Sequence, residues 1–97
     1  MLSEVMDVLR RHKRELSEKY GVREIGVFGS HVRGEQAETS DVDILVEFDP
    51  NARVSLLDFV TLEMYLSDLL GVRVDLVERS ALKPRIGRHV LSEVIYV

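Results

Sequence analysis

Gly29-Ser30-His31-Val32-Arg33-Gly34, a polar run to Ser40, and then Asp41-Val42-Asp43 opening an apolar segment form the stretch on which the reading of this 97-residue chain turns. The apolar run Ile25 to Phe28 leads into it, so Gly29-Ser30 falls where a strand gives way to a helical turn spanning Ser30 to Gly34. A helix start presents unpaired backbone N–H groups at the positive end of a dipole, and glycine has no Cβ to keep a phosphate away. Ser30 adds a hydroxyl. In the strand that follows, side chains alternate between faces, so Asp41 and Asp43 project together while Val42 and Ile44 turn to the other side. Two parallel carboxylates repel unless a hard divalent cation sits between them, and Mg²⁺ characteristically takes one or two carboxylates plus substrate phosphates and water. A phosphate cradle beside a carboxylate pair points to a metal–nucleotide site.

The flanking sequence supplies a scaffold. Leu2 to Tyr20 reads as an amphipathic helix, with Leu2, Val5, Leu9, Leu16 and Tyr20 at helical spacing, Ser3 as its cap and Gly21 as its stop. Its other face carries Arg10, Arg11, Lys13 and Arg14, either a solvated face paired with Glu15 and Glu18 or a docking surface for an acidic partner. Val22 to Phe28 is the first strand, Gln36 to Ser40 a polar loop, and Asp41 to Phe48 the second strand, with Asp41, Asp43, Leu45 and Glu47 on one face. After the break at Asp49-Pro50-Asn51, Ser55 and Asp58 form a capping box for a helix that ends before Gly71, and Leu56, Val60, Met64, Leu66 and Leu70 read as its core face. Val72 to Val77 alternates as a third strand. Ser80 to Pro84 starts a last helix, with Ile86, Val90 and Val94 along one side. The terminal Ile95-Tyr96-Val97 either closes the chain's own core or meets a partner. The order α-β-α-β-α-β-α describes an α/β fold, a small mixed sheet covered by helices, built as one domain over residues 1–97.

Composition narrows the function classes. There is no cysteine, so neither a disulfide framework nor a cysteine-based zinc site is available, and the three histidines match no zinc motif. A formal charge of −4 argues against binding nucleic acid directly through a basic surface. No apolar run approaches the ~20 residues of a membrane helix, which makes a cytoplasmic protein the expectation.

The composite of Gly-Ser, ten residues, and Asp-x-Asp resembles the signature of the DNA polymerase β-type nucleotidyltransferases. The fuller string, Gly29-Ser30-x-x-Arg33-Gly34 followed by Ser40-Asp41-Val42-Asp43-Ile44-Leu45-Val46, is similar to the minimal nucleotidyltransferases of prokaryotes. That resemblance implies the palm-like nucleotidyltransferase fold and a third carboxylate from a neighbouring strand. Only Asp75, in Val74-Asp75-Leu76-Val77, fits the position, and aspartate is disfavoured in strands without a reason. The implied catalytic and metal residues are Asp41, Asp43 and Asp75: the first two hold one or two Mg²⁺ ions, and Asp75 binds a second ion or takes a proton from the attacking hydroxyl. Gly29, Ser30 and Arg33 are the implied nucleotide-binding residues, with a salt bridge from Arg33 to Glu35 or Glu38 as the alternative for its guanidinium.

By the same resemblance the substrate is ATP, the partner a helical HEPN-type toxin, and the role that of an antitoxin placing AMP on a tyrosine hydroxyl of that toxin. A contact-only antitoxin and nucleotidylation of a small molecule are the alternatives. Two features are left over: His31, at a position the family leaves variable, and the basic cluster Lys83, Arg85 and Arg88, which either offsets the acidic charge or lies at the mouth of the cleft.

Overall fold

Gly21 ends the first helix and turns the chain into the sheet. The structure, a computed structural model, describes residues 1–36 and 41–97, so the expected loop at 36–40 and any pairing of Glu38 lie outside the described residues apart from Gln36. Helix α1 (Leu2–Tyr20) buries Val5, Met6, Leu9 and Leu16, and Gly21 closes it at φ 71°, its N–H bonded to the Ser17 carbonyl. Only a residue able to adopt a left-handed conformation serves there cheaply. The expected Ser3 cap is not used. The helix begins at Leu2, which places Ser3 inside the first turn instead of ahead of it.

The chain continues as β1 (Val22–Phe28), α2 (Ser30–Arg33), β2 (Val42–Phe48), α3 (Leu56–Leu70), β3 (Val74–Glu78), a 3₁₀ turn (Arg79–Ala81), α4 (Pro84–Glu93) and β4 (Ile95–Tyr96). These strands form a four-stranded mixed sheet in the order β3-β2-β1-β4. β1 pairs antiparallel with β2 and with β4, whereas β2 and β3 run parallel, a geometry that requires a crossover such as α3. One sheet face presents Ile25, Val27, Val42, Ile44, Val46, Val74 and Leu76 to α1 and α3, and these join Leu9, Leu16, Leu62 and Leu66 in the main core. The other face carries Gly26, Phe28, Asp43, Leu45 and Asp75.

Further details depart from the sequence expectation. β4 is an added edge strand, in which Tyr96 pairs with Gly26 and Ile95 with Val27, so Ile95-Tyr96-Val97 completes this chain's own sheet. β3 starts at Val74, not Val72, because the turn closing α3 at Gly71 occupies the intervening residues. On α3 the buried positions are Leu62 and Leu66, whereas Leu56, Val60 and Met64 are 80%, 40% and 62% exposed. Apolar residues lie almost all round this helix, and its aromatics select the face: Phe59 packs edge-on to Phe48 and Tyr65 against Tyr20. On α4, Ile86 is exposed and the buried side runs through Gly87 and Val90.

On the basic face of α1, Lys13 Nζ donates to the Val97 carbonyl at 2.8 Å, while Arg10 pairs with Asp7 and Arg14 with Glu18. Exposed pairs of this kind add little stability. The capping box on α3 is present as read: the Asp58 N–H donates to Ser55 Oγ and the Ser55 N–H to Asp58 Oδ2. Ser55→Ala should therefore cost about 1 kcal/mol, read as a fall in Tm of roughly 4–8 °C for a chain of this size. No described helix is long and apolar enough to cross a membrane.

Candidate active site

Strand register gathers the acids. Asp43 on β2 is the cross-strand neighbour of Asp75 on β3 and of Phe28 on β1, so Asp43 and Asp75 share the sheet face opposite the main core, while Asp41, expected as the first residue of the strand, lies just ahead of β2 with its charge within reach of Asp43. Asp41 and Asp75 are exposed and Asp43 is half-buried. Burial, followed by the charges of Asp75 and Asp41, pushes the Asp43 carboxyl above its ordinary range, against an opposing pull from His31 and Arg33. The cluster thus carries more negative charge than the described side chains neutralise.

Above it sits the glycine turn. Gly29 caps α2 at φ 84° and ψ −154°, a region essentially restricted to glycine, and a Cβ built there would come within 2.0 Å of Asp43 Oδ2. Its carbonyl accepts the N–H groups of Val32 and Arg33 at 3.0 and 3.2 Å. Among the described residues, the N–H groups of Ser30 and His31 find no backbone acceptor, as expected at a helix start. The structure therefore brings Gly29 and Ser30 to the same end of the sheet as Asp41, Asp43 and Asp75.

Arg33 ends α2 with its guanidinium shared between two acids. Nε donates to Glu35 Oε1 at 3.2 Å, the salt bridge anticipated from the sequence, and Nη1 donates to both carboxylate oxygens of Glu93 at 3.0 Å. Glu93 was not singled out by sequence reasoning. It lies on the distant α4, and neither a motif nor a periodicity marks it. His31 is buried at 5% exposure and its Nδ1 has no hydrogen-bond partner among the described residues, whereas Lys83, Arg85 and Arg88 are exposed. A cavity of about 390 Å³ lined by Val54, Phe59, Leu76, Val77 and Ala81 opens toward the other end of β3 and carries no acid pair.

A divalent cation fits this donor set. Asp43 lies beside Asp75 and within reach of the Asp41 charge, and its carboxyl is held above its ordinary range by burial first and then by those two charges, which a cation would offset. Among the described residues, no three metal-ligating side chains form a ready-made coordination shell. Phosphate oxygens and water would have to complete it, which is the usual way of binding Mg²⁺.

A nucleotidyltransferase domain pattern matches residues 9–97, and therefore takes in the glycine turn and all three aspartates. The chain belongs to the nucleotidyltransferase domain family. This transferase is 59% identical over 96 residues to the protein adenylyltransferase MntA of Thermococcus cleftensis, spanning 99% of the present chain and 95% of that one. It is 52% identical over 97 residues to a Methanocaldococcus jannaschii protein provisionally assigned the same activity, spanning 99% and 97% of the two chains. Among solved structures, a provisionally assigned minimal nucleotidyltransferase superposes with a TM-score of 0.79 at 41% identity, over 98% of the transferase and 95% of that chain. Two more distant structures share the fold: a toxin–antitoxin with AMP-PNP (TM-score 0.70, 22% identity, 97% and 69% covered) and the Shewanella oneidensis complex of a tri-AMPylated HEPN toxin with an MNT antitoxin (0.69, 19%, 99% and 71%).

Proposed function

We propose that this transferase moves AMP from ATP to a side-chain hydroxyl, that of a tyrosine, on a HEPN-type toxin and thereby acts as its antitoxin in the cytoplasm, with residues 1–97 working as one domain. The observation that carries the reading is the seating of the Gly29 turn directly on Asp43, which joins a phosphate-facing helix start to a three-carboxylate cluster. The relatives supply the substrate class: the 59% identical protein is named a protein adenylyltransferase, and structures of the same fold are described with AMP-PNP and with an AMP-modified toxin.

In the reaction, the acceptor oxygen attacks the α-phosphorus of ATP, the bond from that phosphorus to the bridging oxygen breaks, and pyrophosphate leaves while the hydroxyl loses its proton. Asp41 and Asp43 would hold Mg²⁺, and Asp75, exposed near them, would bind a second ion or take the hydroxyl proton. The cation supplies electrostatic stabilisation of the charge that develops on the entering and leaving oxygens. Ser30 and the N–H groups at the start of α2 would hold the β- or γ-phosphate, and Arg33 would add a charge-assisted contact.

Intact-mass spectrometry of the toxin tests this. Incubated with the transferase, Mg²⁺ and each nucleoside triphosphate in turn, the toxin should gain one or more AMP units, with ATP only. Chelation by EDTA should abolish the mass gain and weaken nucleotide binding, because the triphosphate and the three carboxylates then repel. Tight complex formation and toxin inhibition with no mass change would identify a contact-only antitoxin. A modified small molecule in place of a modified toxin would point to the other alternative.

A further inference from the structure

Glu93 closes α4 with its side chain only 13% exposed, and the hydrogen bonds that its carboxylate accepts come from one small element. Oε2 accepts the Gly29 N–H at 2.7 Å, both oxygens accept from Arg33 Nη1 at 3.0 Å, and His89 Nε2 lies 3.6 Å from Oε1. Gly29 and Arg33 are the N-cap and the last residue of α2, so a single carboxylate grips both ends of that turn. Burial alone would raise the Glu93 carboxyl, but the Gly29 N–H and the Arg33 guanidinium outweigh it and hold the group below its ordinary range.

Fastening α4 to the sheet does not require this arrangement. Val90 is already buried, and Val94 lies so close over Gly26 that a Cβ there would meet its Cγ2 at 2.7 Å. An apolar side chain at 93 would extend that packing without the desolvation cost of a carboxylate. Nor does Glu93 occupy the helix-start donors, because its bond is to the Gly29 N–H and leaves the N–H groups of Ser30 and His31 untouched. What the carboxylate determines is the pose of α2 relative to Asp43, which the Gly29 backbone touches, and the direction of the Arg33 guanidinium.

We propose that Glu93 is a positioning residue of the transferase, which sets α2 and aims Arg33 so that both meet the nucleotide phosphates. The proposal rests on the ATP-dependent reading above. Its signature is a loss of nucleotide binding that passes through Arg33, which a merely structural carboxylate would not produce.

The test measures the affinity of the whole chain for AMP-PNP with Mg²⁺, together with KM for ATP and kcat in toxin modification, for Glu93→Gln, Arg33→Ala and the double variant. Glu93→Gln keeps an acceptor for the Gly29 N–H and loses the charge that holds Arg33. It should raise Kd and KM by about tenfold, the scale of one charge-assisted hydrogen bond, with kcat little changed. In the Arg33→Ala background the same change should have less than about a twofold effect, since coupled residues are not additive. Should Glu93→Gln fail to fold, Glu93→Asp, which keeps the charge one methylene short, is expected to show a smaller rise in Kd and KM that again vanishes without Arg33. Additive effects, or a lowered Tm with unchanged Kd and KM, would overturn the proposal. Tighter AMP-PNP binding would also overturn it, making Glu93 a competitor for the phosphate site. A wild-type chain that neither binds AMP-PNP nor modifies the toxin defeats the functional reading and the proposal together, whereas an active wild type with additive variants defeats the proposal alone.

Discussion

Replacing Asp41 and Asp43 together by asparagine should reduce AMP transfer by about a thousandfold or more, several kcal/mol of transition-state stabilisation, while leaving the protein folded with an unchanged or higher Tm. The two effects have one cause. Asp43 stands half-buried beside Asp75 and Asp41, and its carboxyl is displaced upward by burial and then by those charges. A group whose folded pKa is raised contributes stability that is complete at acidic pH and is lost as pH rises through the folded value, so at neutral pH the ionised site weighs against the fold. Asparagine keeps the shape and removes the charge. The stability gain should shrink on acidification, and it should shrink again in Mg²⁺ plus nucleotide, where the wild-type carboxylates are compensated. Thermal unfolding at neutral and acidic pH, run beside intact-mass assays of the toxin, checks both halves. Retained transfer would remove Asp41 and Asp43 from the metal site, and a large fall in Tm would show that their charges support the fold.

How much of this was legible in the sequence depended on whether the signal was local. The glycine turn, the Asp-x-Asp pair and the capping box each lie within a few residues, and local backbone geometry fixes where they sit. Asp75 was recoverable because a strand aspartate among valines and leucines stands out, although only the parallel register of β2 and β3 makes it the neighbour of Asp43. The buried face of α3 was misread because leucines, valines and a methionine surround the helix, and the choice is made by Phe59 and Tyr65 meeting aromatics on other elements. β4 left no pattern in two residues; it exists because Gly26 and Val27 offer an edge to pair with. Glu93 is the sharpest case. It lies 64 residues from Gly29 and follows a basic stretch, so nothing nearby indicates that its partners are the two ends of α2.

Gly29→Ala should lower both transfer and stability. Two penalties coincide. At φ 84° and ψ −154° a non-glycine residue is strained by about 1–3 kcal/mol. The new Cβ would also lie 2.0 Å from Asp43 Oδ2, 2.9 Å from its Cγ and 3.2 Å from its Cβ. The turn cannot simply retreat, because the Gly29 N–H is tied to Glu93 and the Gly29 carbonyl receives the N–H groups of Val32 and Arg33. The carboxylate must move instead, which displaces it from its place beside Asp75. A fall in Tm of about 10 °C and a loss of transfer of about a hundredfold or more are expected, on the scale of roughly 2 kcal/mol of strain and a displaced catalytic group. Combining Gly29→Ala with Asp43→Ala separates the two penalties. Removing the carboxylate relieves the closest contacts and should recover part of the stability, leaving the backbone strain, while transfer stays lost. If Gly29→Ala melts and reacts like the wild type, the turn does not rest on Asp43, and the phosphate-facing helix and the acidic cluster are not the single site drawn here.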